Sequence, residues 1–270
     1  MPEYTGTYFS ENNQFREVSL FSPDILNEGV ALYEVLRIFK GIPLFLDDHM
    51  KRLQESVRLA GRQYNLSFPV IRYLLKNLIK KNGILEGNVK IVLHFSDHQH
   101  PVLYTYFIPH SYPAPDMYQD GVETDLFMAI RNNPNIKLMV PAMRQRISEF
   151  IRAENLYDAL LVDDGETITE GSKTNVFFVK KATLYTAPGD KVLKGITRQK
   201  VFDLCNQLNF KIIERSISII TLHKYEAAFF TGTSPRILPI SRIANIQYDV
   251  THPVVKTLMS SYDQLIAACL

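Results

Sequence analysis

Residues 33–39 read with a period of two, Lys40-Gly41 turns the chain, and the apolar run Ile42-Pro43-Leu44-Phe45-Leu46 returns it. That is the signature of a β-hairpin. Asp47 or Asp48 can cap the helix that follows over residues 49–60, where Met50, Leu53, Val57 and Ala60 share one face and Gly61 ends the run. Arg52 falls off that stripe and is expected to face solvent or a ligand. A second helix fits residues 69–81. Strands over 88–95 and 102–109 follow, joined by the polar tip 96–101. Residues 1–24 are mixed, with short aromatic β-like pieces. The first half therefore reads as a small α+β domain.

Tyr112-Pro113-Ala114-Pro115 has the composition of a connection, and a boundary is expected near 113–122, giving domains of 1–115 and 116–270. Beyond it, residues 122–130 read as a strand, 142–155 as a helix, and 159–165 as a strand and turn leading into a hairpin. Short strands are expected at 176–179 and 184–186. A helix opens at Gly195 and runs to about Leu208. A strand over 211–219, a helical turn over 221–225, a strand over 227–231 and a closing helix over 253–268 complete the chain. The second half reads as a larger α/β domain, or a distorted barrel.

Composition narrows the function classes. At 270 residues, 46% apolar and 21% charged, the chain suits a soluble globular protein. A net charge of +2 gives no reason to expect nucleic acid or an acidic membrane as partner. No apolar run reaches the roughly 18 residues of a membrane span, and the N-terminus lacks the pattern of a signal peptide. Two cysteines, Cys205 and Cys269, make neither a disulfide framework nor a metal cluster, and reduced thiols point to the cytoplasm.

Candidate chemistry gathers at a few places. Thr169-Glu170-Gly171-Ser172-Lys173-Thr174-Asn175 sets a carboxylate and small polar residues between two β-runs. Gly195-Ile196-Thr197 stands where a helix begins, and exposed N–H groups at a positive dipole end suit a phosphate. Thr231-Gly232-Thr233-Ser234 offers further hydroxyls and backbone donors in a bend. Arg52 can fork onto a phosphate. Lys137 lies in the apolar context Ile136-Lys137-Leu138-Met139-Val140, and a desolvated lysine amine can attack a carbonyl. A carboxylate such as Glu170 beside a pyridine nitrogen keeps that nitrogen protonated.

The series Tyr33-Glu34-Val35, His49-Met50-Lys51-Arg52-Leu53, Ile136-Lys137, Thr169-Glu170-Gly171-Ser172 with Asn175-Val176-Phe177, Leu193 with Gly195-Ile196-Thr197-Arg198, and Thr231-Gly232-Thr233-Ser234 resembles the class IV aminotransferases. These are the fold-type IV pyridoxal 5′-phosphate enzymes, which include branched-chain aminotransferase, D-amino-acid aminotransferase and aminodeoxychorismate lyase. The resemblance spans about residues 30–245. It implies a small α/β domain, a larger pseudo-barrel domain, a site between them, and a homodimer. It assigns Lys137 as the Schiff-base lysine and proton shuttle, and Glu170 as partner of the pyridine nitrogen. Arg52, Ile196, Thr197 and Thr233 would hold the phosphate. Tyr33 would lie near the substrate carboxylate, with Ser234 lining that side.

The substrate positions depart from the family pattern. Glu28-Gly29-Val30-Ala31-Leu32 stands where Gly-Asp-Gly is usual, and Leu138-Met139-Val140-Pro141 lacks the usual Asn. His94-Phe95-Ser96-Asp97-His98 replaces an Arg-Gly, and Arg236 replaces an acid. His94, His98, His100 and Arg236 are the candidate replacements for anion recognition. The implied activity is transamination of a small amino acid and 2-keto acid pair, of branched-chain or D-amino-acid type. The alternatives are pyruvate elimination from aminodeoxychorismate and a non-catalytic protein that kept the fold.

Overall fold

The computed structural model describes residues 4–96, 100–130, 134–137 and 141–270. Contacts divide them into two compact units. The first takes the described residues up to Ser111, together with Ile136, Lys137 and the last two residues. The second takes Tyr112–Asn135 and the rest of the chain to Ala268.

The first unit is built on an antiparallel sheet of β1 (Thr5–Glu11), β2 (Gln14–Glu17), β3 (Val30–Phe39), β4 (Ile42–Pro43), β5 (Gly87–Phe95) and β6 (Val102–Ile108), in the order β2-β1-β6-β5-β3-β4. Period two decides the faces of β3. Leu32, Leu36 and Ile38 pack under the helices α1 (Leu46–Leu59) and α2 (Phe68–Asn82), while Ala31 and Tyr33 join Val92, Tyr104 and Tyr106 on the opposite face. The turn into β4 places both Lys40 (φ 49°) and Gly41 (φ 76°) in the left-handed region, as a two-residue hairpin turn matching the strand twist requires.

The start of α1 corrects the expected cap. Phe45, at φ 53° and ψ 35°, breaks the chain direction, and Leu46 already belongs to the helix. The side chain of Phe45 makes no capping hydrogen bond to it. Asp47 and Asp48 instead lie inside the first turn, where a carboxylate meets the positive end of the helix dipole.

The second unit carries β7 (Val122–Met128), β8 (Asp158–Val162), β9 (Thr167–Gly171), β10 (Asn175–Lys180), β11 (Thr183–Thr186), β12 (Lys211–Glu214), β13 (Ile217–Ser218), β14 (Ala227–Gly232), β15 (Arg236–Ile243) and β16 (Ile246–Gln247). Its helices are α3 (Pro115–Asp120), α4 (Pro141–Ala153), α5 (Ile196–Gln207) and α6 (Pro253–Ala267). The strand path runs β12-β11-β10-β14-β15-β7-β8-β9-β13, with β16 beside β15. The two ends of this path, β12 and β13, are consecutive in the chain with Arg215 and Ser216 between them. The sheet must therefore curl until its edges approach, which is the pseudo-barrel. The single strand expected over 211–219 is split for this reason: the chain leaves one edge and enters the other. The helical turn expected over 221–225 is a 3-10 helix, Ile219–Lys224.

One face of the curled sheet buries Val176, Phe178, Phe230 and Leu238. On the other, Phe177 stacks on Phe229 with ring centroids 5.2 Å apart and meets Phe202 of α5 at 6.0 Å. This anchors α5 over the start of β10 and the end of β14. No helix among the described residues is long and apolar enough to cross a membrane.

Candidate active site

Polar side chains converge in the second unit where β9 and β14 end and β10 begins. Glu170 is 3% exposed. Its Oε2 accepts from Asn175 Nδ2 at 3.3 Å and from the Leu193 backbone N–H at 3.1 Å. Asn175 Nδ2 also donates to the Leu193 carbonyl at 2.9 Å, so one amide ties the carboxylate to the segment before α5. Asn175 pairs across the sheet with Thr231. A Cβ on Gly195 would lie 2.1 Å from Asn175 Oδ1, so this approach requires glycine.

Gly195 also precedes the first residue of α5, and as the N-cap it brings no side chain of its own to that helix start. Its first-turn N–H groups have no intrahelical acceptor and sit at the positive dipole end. Ile196 and Thr197, the first two residues of α5, are buried, and the Thr197 hydroxyl meets the Tyr262 hydroxyl of α6 at 3.2 Å. Thr231 Oγ1 is buried with no hydrogen-bond partner among the described residues. Thr233 and Ser234 occupy the turn between β14 and β15, closed by the pair Gly232 and Arg236. A buried carboxylate, a helix start with glycine at its N-cap and an orphan hydroxyl within one set of hydrogen-bonded neighbours suit a protonated ring nitrogen and a phosphate.

The first unit holds Lys137. Its carbonyl accepts from the Tyr33 N–H at 3.2 Å, and its Nζ stands 5.0 Å from the Tyr33 ring centroid. Lys90, buried on β5, places its Nζ 5.4 Å from the same ring and 5.8 Å from that of Tyr106. His94 lies on that face of β5, opposite Ala31, and its Nε2 donates to the Glu28 carbonyl at 2.6 Å. Lys90 carries no motif in the sequence. The signal for it is parity: it shares the strand face of Val92 and His94.

Arg52 is not turned to solvent. It forks onto Glu34, with Nε to Oε1 at 2.7 Å and Nη2 to Oε2 at 2.6 Å, and His49 Nδ1 reaches Oε2 at 2.8 Å. Glu34 is the polar position on the helix-facing side of β3, and His49 and Arg52 are three apart on α1, hence neighbours. Burial alone would raise the Glu34 carboxyl, but the Arg52 charge, with hydrogen bonds from Arg52 and His49, outweighs it and holds the pKa at about 2. Burial pushes the His49 imidazole down, against the pull of Glu34, so the ring is neutral. Nδ1 then carries the proton that Glu34 accepts.

Glu34→Gln is expected to destabilise the protein by about 3–5 kcal/mol at pH 7, because Arg52 keeps its charge and loses its counter-charge. Glu34 is depressed in the folded state, so its contribution is present above the ordinary value of 4.5 and is lost as pH falls toward 2. The unfolded chain binds more protons across that window. Urea unfolding at pH 7 and pH 3 should show the gap between variant and wild type narrowing in acid. An unchanged gap would contradict the assignment.

His98 and residues 138–140 lie outside the described residues. His100 is exposed, and Arg236 pairs with Asp263 at 2.9 Å.

The family model for amino-transferase class IV matches residues 31–243. A D-alanine aminotransferase of Bacillus licheniformis is 27% identical over 250 residues, covering 86% of this chain and 87% of that protein. An aminodeoxychorismate lyase of Bacillus subtilis is 24% identical over 237 residues, covering 82% and 80%. Among solved structures, a putative branched-chain amino acid aminotransferase from Thermotoga maritima superposes with a TM-score of 0.83 at 25% identity, covering 96% of each chain.

Proposed function

This chain belongs to the class IV aminotransferase family, and from that premise we propose that it moves an amino group between a small amino acid and a 2-keto acid, of branched-chain or D-amino-acid type. Its cofactor is that of the family, pyridoxal 5′-phosphate. When bound, this group supplies the electron sink that makes the substrate Cα–H acidic.

The residues present fit it. Glu170 would hold a proton at the ring nitrogen. Ile196 and Thr197 at the start of α5, with Thr233 and Arg52, would hold the phosphate. Lys137 would carry the cofactor and move the proton to and from the substrate Cα. Tyr33, Ser234 and His94 are proposed for the substrate side, where the buried Lys90 adds a second cation to the Tyr33 ring. The observation that carries the reading is the buried Glu170 bound to Asn175 and Leu193 beside a helix start whose N-cap is Gly195.

The orphan Thr231 hydroxyl gives a direct test of fit. Thr231→Val should leave the protein without cofactor equally stable or about 1 kcal/mol more stable, since a buried hydroxyl with no partner is removed. The same change should weaken cofactor binding about tenfold, or roughly 1.4 kcal/mol. Thermal melts without cofactor and a spectral titration read the two effects. A loss of stability without cofactor would contradict the role.

The lyase reading is kept because the same residues serve both reactions and the Bacillus subtilis lyase covers most of the chain. Purified protein given a panel of L- and D-amino acids with 2-keto acid acceptors should transfer the amino group. Pyruvate release from aminodeoxychorismate without transamination would establish the lyase instead. A protein that binds cofactor and changes its spectrum with no amine would be the non-catalytic alternative. We place the enzyme in the cytoplasm as a homodimer. Burial pushes the Cys205 thiol up to about 12, leaving it inert.

A further inference from the structure

Asp158 is a buried carboxylate that none of the chemistry above uses. It opens β8, is 1% exposed, and accepts four hydrogen bonds. Oδ1 takes the Ser172 hydroxyl and the Ala159 N–H, the latter at 2.9 Å. Oδ2 takes the Thr174 hydroxyl at 2.8 Å and the Lys173 N–H at 3.3 Å. Three of these donors belong to the turn Ser172-Lys173-Thr174. That turn is closed further by Gly171 N–H to the Thr174 carbonyl at 2.8 Å and by Ser172 N–H to the Ala159 carbonyl at 3.0 Å. A Cβ at Gly171 would lie 2.1 Å from Thr174 Oγ1 and 2.7 Å from Asp158 Oδ2, so the turn is wrapped tightly about the carboxylate. Glu170, two residues before the turn, and Asn175, directly after it, bond to one another.

We propose that Asp158 is a positioning residue: it clamps the 172–174 turn so that Asn175 holds the Glu170 carboxylate at the cofactor ring nitrogen. This rests on the role given to Glu170. The physical reason is acceptor capacity. A carboxylate can accept from two hydroxyls and two backbone N–H groups at once, whereas an asparagine must turn its NH2 toward one backbone N–H that cannot reverse. The turn then loosens, and Asn175 with it.

The test compares binding of pyridoxal 5′-phosphate with binding of its analogue carrying carbon in place of the ring nitrogen. Full-length wild type, Asp158→Asn and Glu170→Gln are titrated by absorbance, without substrate. Asp158→Asn should weaken pyridoxal phosphate about tenfold and the analogue less than twofold, and Glu170→Gln should show the same selectivity. Equal loss for both ligands in Asp158→Asn, with selectivity kept in Glu170→Gln, would overturn the proposal and leave the Glu170 role standing. Absence of selectivity in Glu170→Gln would overturn both. Should Asp158→Asn fail to fold, Thr174→Val removes one donor only and must show the same selectivity at smaller size; equal loss there also refutes the clamp.

Discussion

Lys137→Ala is expected to lower kcat/KM by roughly 10⁴-fold, the upper end of what a positioned acid–base group contributes. The loss is chemical. Lys137 is anchored through its own carbonyl to the Tyr33 N–H, a bond that alanine keeps. The polar cluster of Glu170, Asn175 and Thr231 belongs to the other compact unit. Folding and phosphate binding should therefore survive while proton movement at Cα stops. Added methylamine should restore part of the rate, because a small amine can occupy the vacated volume and take the proton. Steady-state kinetics with and without amine measure both effects. A variant that keeps a tenth of wild-type activity would place the base elsewhere, with Lys90 as the next amine on the same tyrosine.

Glu170→Gln is expected to cost roughly 10²–10³-fold in kcat with KM little changed, the scale for losing one preorganised electrostatic contact to the transition state. Glutamine preserves the shape and an acceptor oxygen for the Asn175 amide and the Leu193 N–H. It loses the negative charge that keeps a pyridine nitrogen protonated. A change in kcat below threefold would show that the ring nitrogen does not depend on this carboxylate.

The elements of both units were legible where periodicity and turn chemistry agree, as in β3 with its Lys40-Gly41 turn and in α1 ending just before Gly61. Tertiary structure decided the rest. Phe45 takes a left-handed backbone, which residue type argues against, so the start of α1 was misplaced. β15 carries Pro239, which weakens any strand reading; it is tolerated because pairing with β7 begins at Ile240. The candidate site follows the same division. Glu170, Ile196, Thr197 and Lys137 stand in short contiguous motifs. The partners Glu34 for Arg52, Tyr262 for Thr197 and Asp158 for the 172–174 turn are 18, 65 and 14–16 residues away, and only folding brings them in. Strand parity could have flagged Glu34, since an acid on the helix-facing side of β3 needs a partner.

The most direct test of the account is where the cofactor becomes attached. Holoprotein reduced with borohydride, digested and sequenced by mass spectrometry should carry the pyridoxyl phosphate on Lys137 and on no other lysine. Label on Lys90, or no label on a protein saturated with pyridoxal phosphate, would contradict it.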